Sequence, residues 1–264
     1  MATYRSPTKA ESLYFQHLEK LVESHGKAEE KQLLGRWRQE LRSFFAGANS
    51  TLLSGRQHLE FGIQSDLALK INLKSPGLAT GVSSLDIFAD DPVLAPWASL
   101  ILARGLRFHG GIKLTPERLS HELYLYLDQP GDEAAAVSLA PSLQPLLDRY
   151  QPVGIGVDNH RGLSVYFTAP DTSMQTLVAR ETGITPEQLH CIWCYQQARQ
   201  EQGQVIAGKS ALELKPFTPA LLTRLISRYP FPWFRYLFRG ASLRSANFGG
   251  DHVSRQFSLY ADVT

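Results

Sequence analysis

The feature that most constrains the fold of this chain is a β-hairpin pattern that returns along its length. The clearest copy is PVGIGVDNHRGLSVYFTAP at 152–170, where apolar residues alternate with small or polar ones on both sides of a short turn. Period-two alternation around a short turn predicts two antiparallel strands that share one apolar face. The same pattern predicts further hairpins at 57–73, 105–127, 189–214 and 241–262.

Helical segments are predicted between the hairpins. Apolar stripes at helical spacing indicate one helix that ends near 25–26 and a second that ends at Gly47. Further helices are predicted near 93–104, 138–150, 172–182 and 220–228. Asp90 and Asp91 are not part of an aspartate-rich diphosphate motif, because Leu94 stands where that motif needs a further Asp. We interpret the pair as a loop with a helix-capping acid.

One stretch is open to two interpretations. Residues 189–199 fit either a helix or the first arm of a hairpin. We favour the hairpin because it completes a repeat, since the five hairpins begin near 57, 105, 152, 189 and 240. A unit of helix plus hairpin that returns roughly every 50 residues is typical of a repeat architecture.

The repeat predicts an α+β fold: a single domain, 1–264, with 1–50 as the helical part of the first repeat. Five antiparallel hairpins supply ten strands, and closing them into a barrel removes every exposed edge. Ten strands make a barrel wider than the eight that side chains just fill. The helices are expected outside, against the apolar strand faces, so the polar faces line a lumen that holds the active site.

Composition excludes several other classes. The net charge of +2 gives no argument for nucleic-acid binding. Every apolar run is broken well before the ~20 residues that a membrane span needs. The first residues contain no apolar segment typical of a secretory signal, and two cysteines cannot build a disulfide framework. A protein of the cytoplasm is therefore expected.

The polar strand faces combine bases, acids and aromatic rings. Their members are Lys70, Arg107, Lys113 and Arg244; Glu60, Glu122 and Asp158; and Tyr124, Tyr126, Tyr166 and Tyr260, with Lys209 and Trp193 depending on the register of the fourth hairpin. Converging bases can bind a diphosphate. Tyrosine rings can shield a carbocation, and a carboxylate can take a proton from an acceptor. Transfer of an allylic group from its diphosphate requires these three functions together.

The repeat of helix plus hairpin resembles the αββα prenyltransferases, which form a ten-stranded barrel wrapped by helices. LEFGIQSDLALKINL, with Glu60 and Lys70, resembles the first hairpin of the cyanobactin-type peptide prenyltransferases, where a first-strand glutamate and a second-strand base are functional. GGIKLTPERLSHELYLYLD and GIGVDNHRGLSVYF occupy the places of the next two hairpins. The resemblance implies transfer of a dimethylallyl (C5) group to a side chain of a peptide, which can be macrocyclic.

These considerations assign a role to each candidate. Lys70, Lys113, Arg107, Arg244, Tyr166 and Lys209 are predicted to bind the diphosphate; Tyr124, Tyr126, Tyr260 and Trp193 to shield the prenyl cation; and Glu60, Asp158 and Glu122 to bind the acceptor, with Glu60 catalytic. Several carboxylates slightly favour an arginine acceptor over tyrosine or tryptophan. Mg²⁺ is expected mainly on the diphosphate, with no protein ligand predicted. The alternatives are a non-catalytic barrel that binds a hydrophobic small molecule and, more weakly, a protein like the tetrapyrrole reductases.

Overall fold

The structure of the chain is a computed structural model. It describes residues 19–20, 22–24, 27–52, 58–64, 69–74, 85, 88–149, 152–160, 162–168, 191–201, 204–214, 242–250 and 255–262. The predicted helices at 172–182 and 220–228 lie outside the described residues.

Antiparallel strands pair in sequence order through the described part of the chain. They are β1 (His58–Gln64), β2 (Leu69–Lys74), β3 (Phe108–Leu114), β4 (Leu119–Tyr126), β5 (Pro152–Asp158), β6 (Gly162–Thr168), β7 (Cys191–Glu201), β8 (Gln204–Leu214), β9 (Ser242–Gly250) and β10 (Arg255–Asp262). Each strand pairs with its sequence neighbours, and β1 also pairs with β10, so the strand order closes on itself. Residues 191–201 are a strand, and the helical interpretation of 189–199 is therefore wrong.

Four α-helices have described bounds: α1 (Ala28–Leu52), α2 (Ala95–Arg104), α3 (Asp132–Leu139) and α4 (Gln144–Arg149). Helix α2 ends where predicted, because Gly105 caps it in the left-handed region at φ 64°. Helix α1 continues past Gly47, where the sequence predicted its end. A single glycine weakens a helix by only about 1 kcal/mol and does not have to end it.

The helix predicted near 138–150 is wrong in its bounds. Helix α3 begins earlier, at Asp132, whose carboxylate accepts hydrogen bonds from the Gln129 backbone and from Arg104 at the end of α2. Pro141 lacks a backbone N–H and opens a 3-10 turn, Pro141–Leu143, that separates α3 from α4. The apolar residues predicted one continuous helix, but the proline at 141 divides the segment into two helices.

The hydrophobic core lies between the helices and one face of strands β3 to β6. Trp97 and Ile101 of α2 belong to the same buried cluster as Phe108, Leu125 and Ile155 of the strands. These strand residues are the apolar members of the alternation. The polar members therefore belong to the face of the sheet that turns away from these helices.

Helix α1 and the segment before α2 also contact the strand turns. The indole of Trp37 donates a hydrogen bond to the backbone oxygen of Thr115, and Arg36 donates to that of Pro116. Asp91 accepts hydrogen bonds from the backbone N–H groups of Val93 and Leu94, in the turn before α2. The N-cap of α2 is Leu94 and has no side-chain cap hydrogen bond, so the predicted helix-capping role of this acid is wrong. The second oxygen of Asp91 accepts a hydrogen bond from Asn159 at the β5–β6 turn.

An antiparallel sheet combined with helices is therefore confirmed. None of the helices within the described ranges is both long and apolar enough to cross a membrane.

Candidate active site

Strand register arranges the polar residues in rows across the sheet, because directly opposed residues of an antiparallel pair share a face. One row runs through Lys70, Lys113 and Ser120 on β2, β3 and β4. The next row contains Asn72, Gly111, Glu122 and Asp158 on β2 to β5. A third contains His109, Tyr124, Gly156 and Ser164 on β3 to β6. The rows therefore bring bases, acids and aromatic rings to one region.

Lys70 and Glu122 form an ion pair at the centre of this region. The Nζ atom of Lys70 lies 2.8 Å from Oε2 of Glu122, and their side chains are only 12% and 6% exposed. Tyr124 donates a hydrogen bond to the same carboxylate oxygen at 3.0 Å, and Lys70 reaches the Tyr124 hydroxyl at 3.3 Å. Three side chains from two non-adjacent strands thus form one buried network.

Gly111 lies on β3, the strand between Lys70 and Glu122. An added Cβ at position 111 would lie 2.3 Å from the Ile71 backbone oxygen and 2.5 Å from Oδ1 of Asn72. Glycine is therefore required by close approach of β2 and β3. Position 111 lies between Asn72 of β2 and Glu122 of β4 in the register of the sheet.

The second lysine of the row, Lys113, is directly opposite Lys70 and is 3% exposed. Lys70 and Lys113 are called the lysine pair below. Burial raises the pKa of Glu122, but Lys70, Lys113 and the Tyr124 hydrogen bond outweigh it, so the net pKa lies below its usual range. Glu122 is therefore ionised at neutral pH and supplies a negative charge to the lysine pair.

An aromatic wall adjoins the lysine pair, formed by His109, Tyr124, Tyr126 and Tyr166. The rings of His109 and Tyr124 stack with centroids 4.4 Å apart, and those of Tyr124 and Tyr166 lie 5.7 Å apart. A Cβ at Gly156 would come within 2.8 Å of the Tyr166 ring and 3.1 Å of the Tyr124 ring. The wall is therefore built over a glycine that leaves space for two rings.

Arg107 lies apart from the lysine pair. It precedes Lys113 by six residues, which corresponds to roughly 20 Å along a strand. Its guanidinium binds the Asp128 carboxylate at 2.5 and 2.8 Å and lies over the Tyr126 ring. The hydrogen bond with Asp128 raises the pKa of Arg107 above its ordinary value. The structure therefore does not bring Arg107 together with Lys70 and Lys113, although the sequence grouped them.

Asp158 is opposite Glu122 and is also buried. One of its oxygens accepts a hydrogen bond from the backbone of His160 in the β5–β6 turn. Glu122 and Asp158 thus place two carboxylates side by side on neighbouring strands, and Glu122 forms the ion pair with Lys70.

The remaining candidates have a described backbone, while their side chains lie outside the described part of the structure. Glu60 is opposite Asn72 on β2 and Asp262 on β10, and thus continues the row of Glu122 and Asp158. Tyr260 is opposite Gly62, which is opposite Lys70. Trp193 is opposite Glu213. Arg244 falls at a register irregularity in the β9–β10 pairing, and Lys209 lies on β8. All five roles stay predictions.

Sequence reasoning missed three residues of this region. His109 stacks on Tyr124 and hydrogen-bonds Tyr126, but the sequence predicted no role for it. Asn72 is 4% exposed in the row of acids, and Asp262 extends that row beyond Glu60. Alternation alone places all three on the polar face. Register was the missing signal, because only pairing shows which polar residues stand opposite one another.

No cluster of three or more His, Cys, Asp or Glu side chains is placed to hold a metal ion within the described ranges.

Two comparisons with known sequences found nothing: no family model matches the chain, and no curated protein matches it. Solved structures do match. The crystal structure of AnaPT from Neosartorya fischeri superposes with a TM-score of 0.54 and 11% sequence identity, over 98% of this chain and 95% of that chain. The likeness shows that the two share a fold across nearly their whole length.

The site combines two opposed, largely buried lysine side chains, one ionised carboxylate and a wall of electron-rich rings. Adjacent ammonium groups attract a polyanion. The faces of aromatic rings attract cations. The Nζ atom of Lys70, which lies 5.8 Å from the centroid of the Tyr124 ring, is an example within the site. A ligand that carries an anion at one end and develops a cation beside it fits both features at once.

Proposed function

We propose that this protein is a prenyltransferase that moves a prenyl group from its diphosphate to an acceptor inside the barrel lumen. The observation that carries the proposal is the juxtaposition of the lysine pair with the aromatic wall on one sheet face. AnaPT, an aromatic prenyltransferase of the αββα fold, supplies the structural precedent for prenyl transfer on this architecture.

Each part of the site has a role in this reaction. Lys70 and Lys113 bind the diphosphate and stabilise the negative charge that it gains as its bond to the allylic carbon breaks. The faces of Tyr124 and Tyr166 lie beside the allylic carbon and stabilise the positive charge that develops there. The acceptor atom then forms the new bond to carbon, and its proton passes to a carboxylate.

Glu60 is proposed as that carboxylate. Its register position in the row of Glu122 and Asp158 supports the assignment, because it places Glu60 within a group of acids one row from the lysine pair. Two other acids of that row, Asp158 and Asp262, favour a cationic acceptor. We therefore propose a peptide acceptor, with arginine slightly preferred over tyrosine and tryptophan, and a cyanobactin-type role in peptide maturation.

We propose dimethylallyl diphosphate as the donor and Mg²⁺ as the ion that is bound to its diphosphate. The donor choice rests on the resemblance of the first hairpin to the cyanobactin-type branch. Mg²⁺ commonly binds through substrate phosphates and water, a mode that needs few protein ligands. Lys70 and Lys113 can bind phosphate oxygens that the ion does not occupy. We also propose that the protein is located in the cytoplasm.

The proposed function is tested by incubating the protein with dimethylallyl diphosphate, Mg²⁺ and peptides that differ only in one Arg, Tyr or Trp. We expect the Arg peptide to gain the mass of one prenyl unit. Lys70→Ala should reduce product formation, and Ser99→Ala, which alters an exposed α2 side chain, is the matched control. Binding of a prenyl donor without product from any peptide or small aromatic acceptor would contradict catalysis and favour the non-catalytic barrel.

A further inference from the structure

The lysine pair poses an electrostatic problem before any donor is bound. Lys70 and Lys113 stand opposite one another on neighbouring strands, both largely buried. Directly opposed like charges destabilise a sheet, and burial disfavours the charged form of a lysine. A diphosphate site that depends on both ammonium groups therefore needs a nearby negative charge while it is empty.

Glu122 is placed to supply this charge. Its carboxylate contacts Lys70 at 2.8 Å and is held by the Tyr124 hydroxyl at 3.0 Å. Lys113 acts on the same carboxylate electrostatically. The sequence had assigned Glu122 to the acceptor, but its described contacts are with residues of the donor site.

We propose that Glu122 is a positioning residue of the donor site: it keeps Lys70 and Lys113 both charged before a diphosphate arrives. The inference rests on the proposed function. A diphosphate then meets two preformed ammonium groups, and binding requires no proton uptake by the protein. Without the Glu122 charge, one lysine is neutral in the empty site at higher pH and must take up a proton when the diphosphate binds.

Other titratable residues surround the lysine pair. Tyr124 and Asp158 lie on β4 and β5, and register places Glu60 on β1 and Tyr260 and Asp262 on β10 in the same or the neighbouring row. If these acids supplied the countercharge instead, removal of Glu122 would leave the protonation of the lysine pair unchanged. The experiment below separates these two cases.

The test measures binding of inorganic diphosphate by calorimetry from about pH 6 to about pH 9, a range below the ordinary pKa of lysine. Wild type is compared with Glu122→Gln, which preserves shape and removes the charge, and with Glu122→Met. The ligand's own ionisation cancels in the ratio of variant to wild-type Kd. We expect this ratio to rise by about tenfold or more over the range, equivalent to one unit of pKa. Extra proton uptake should appear in buffers of different ionisation enthalpy.

Two further variants sharpen the test. Asp132→Asn neutralises another buried carboxylate, which pairs with Arg104 at 2.9 Å in the helical layer, and its Kd ratio should stay near one at every pH. Lys70→Met combined with Glu122→Gln removes one of the two like charges. This double variant should bind diphosphate more weakly than wild type, but with a ratio that no longer depends on pH.

The inference is overturned if the ratio of variant to wild-type Kd is the same at every pH for both Glu122→Gln and Glu122→Met, whatever its size. A merely structural role of Glu122 would lower the affinity equally at all pH values. Absence of diphosphate binding by wild type also overturns it. If wild type transfers a prenyl group but the Kd ratio of the Glu122 variants does not change with pH, only the role of Glu122 is refuted and the proposed function stands. The expected pH dependence without prenyl transfer would refute the proposed function alone.

Discussion

Lys70–Glu122 and Arg107–Asp128 are two ion pairs that use similar residues in different surroundings. Each pair joins a base to an acid beside a tyrosine, Tyr124 for the first and Tyr126 for the second. The side chains of the first pair are 12% and 6% exposed, and those of the second are 44% and 34% exposed. From sequence alternation both Lys70 and Arg107 are predicted to bind the diphosphate. The structure distinguishes them, because Lys70 is largely buried and Arg107 is exposed.

The difference shows why residue type alone does not define a diphosphate site. In the buried pair water is largely excluded, so removal of a charge is not compensated by solvent. In the exposed pair water and salt screen both charges, and such pairs contribute about 0–1 kcal/mol. Chemistry is therefore expected at the buried end of the polar face.

The largest effect is expected for Glu60→Gln, which tests the acceptor side of the proposed reaction. If Glu60 takes the acceptor proton, turnover should fall by about 10²-fold or more, while donor binding stays nearly intact. Single-turnover prenylation and diphosphate binding, measured on the same preparation, separate the two quantities. Near-wild-type turnover would falsify the role of Glu60.

The next effect is expected for Lys70→Ala, which removes one member of the lysine pair. A hydrogen bond to a charged group contributes about 1.5–3 kcal/mol. The KM for the prenyl diphosphate should therefore rise, or kcat/KM fall, by about tenfold or more. Arg244→Ala is predicted to act in the same direction. If neither variant changes donor kinetics, the diphosphate lies elsewhere.

A third effect concerns stability and pH. Because the pKa of Glu122 in the folded state is below its ordinary value of 4.5, its charge stabilises the fold above about that pH. The stabilisation is lost as the pH falls through the folded-state pKa. The difference in free energy of unfolding between wild type and Glu122→Gln should thus be full near neutrality and shrink in acid. Urea unfolding at several pH values measures this, and a difference that grows in acid would reverse the assignment.

The smallest effect is expected for Arg107→Ala, the matched change at the exposed end. Loss of an exposed pair worth about 0–1 kcal/mol corresponds to at most about a fivefold change in donor kcat/KM. Asp128→Asn should behave alike, and added salt should reduce both effects. A loss as large as that of Lys70→Ala would remove the distinction between the two ends and restore Arg107 to the diphosphate site.

The strands were predictable because their alternation is a local property. Four of the five hairpins were located from period-two patterns, the one at 189–214 was favoured because it completes the repeat, and Gly105 marked the end of α2 correctly. The single domain 1–264 stays a prediction. The extension of α1 beyond Gly47 was missed, because a glycine alone does not decide between continuing and ending a helix.

The site was only partly predictable because it depends on register. Lys70, Lys113, Glu122 and Tyr124 were all placed on the polar face from sequence. Their grouping into one network could not be foreseen, because Lys70 and Glu122 are separated by 52 positions and by an intervening strand. The separation of Arg107 from this group has the same origin.

Gly111 limits how this protein can evolve. A side chain there would collide with the β2 backbone and with Asn72, whereas a Cβ at Gly35 on α1 meets nothing within 4 Å. When both codons are randomised and active clones are selected, position 111 should return almost only glycine and position 35 a broad set of residues. The close pairing of β2 with β3, which sets Lys70 opposite Lys113, thus depends on a residue that carries no functional group. A side chain acquired there by drift would collide with the β2 backbone, and no change confined to Lys70 or Glu122 would remove that collision.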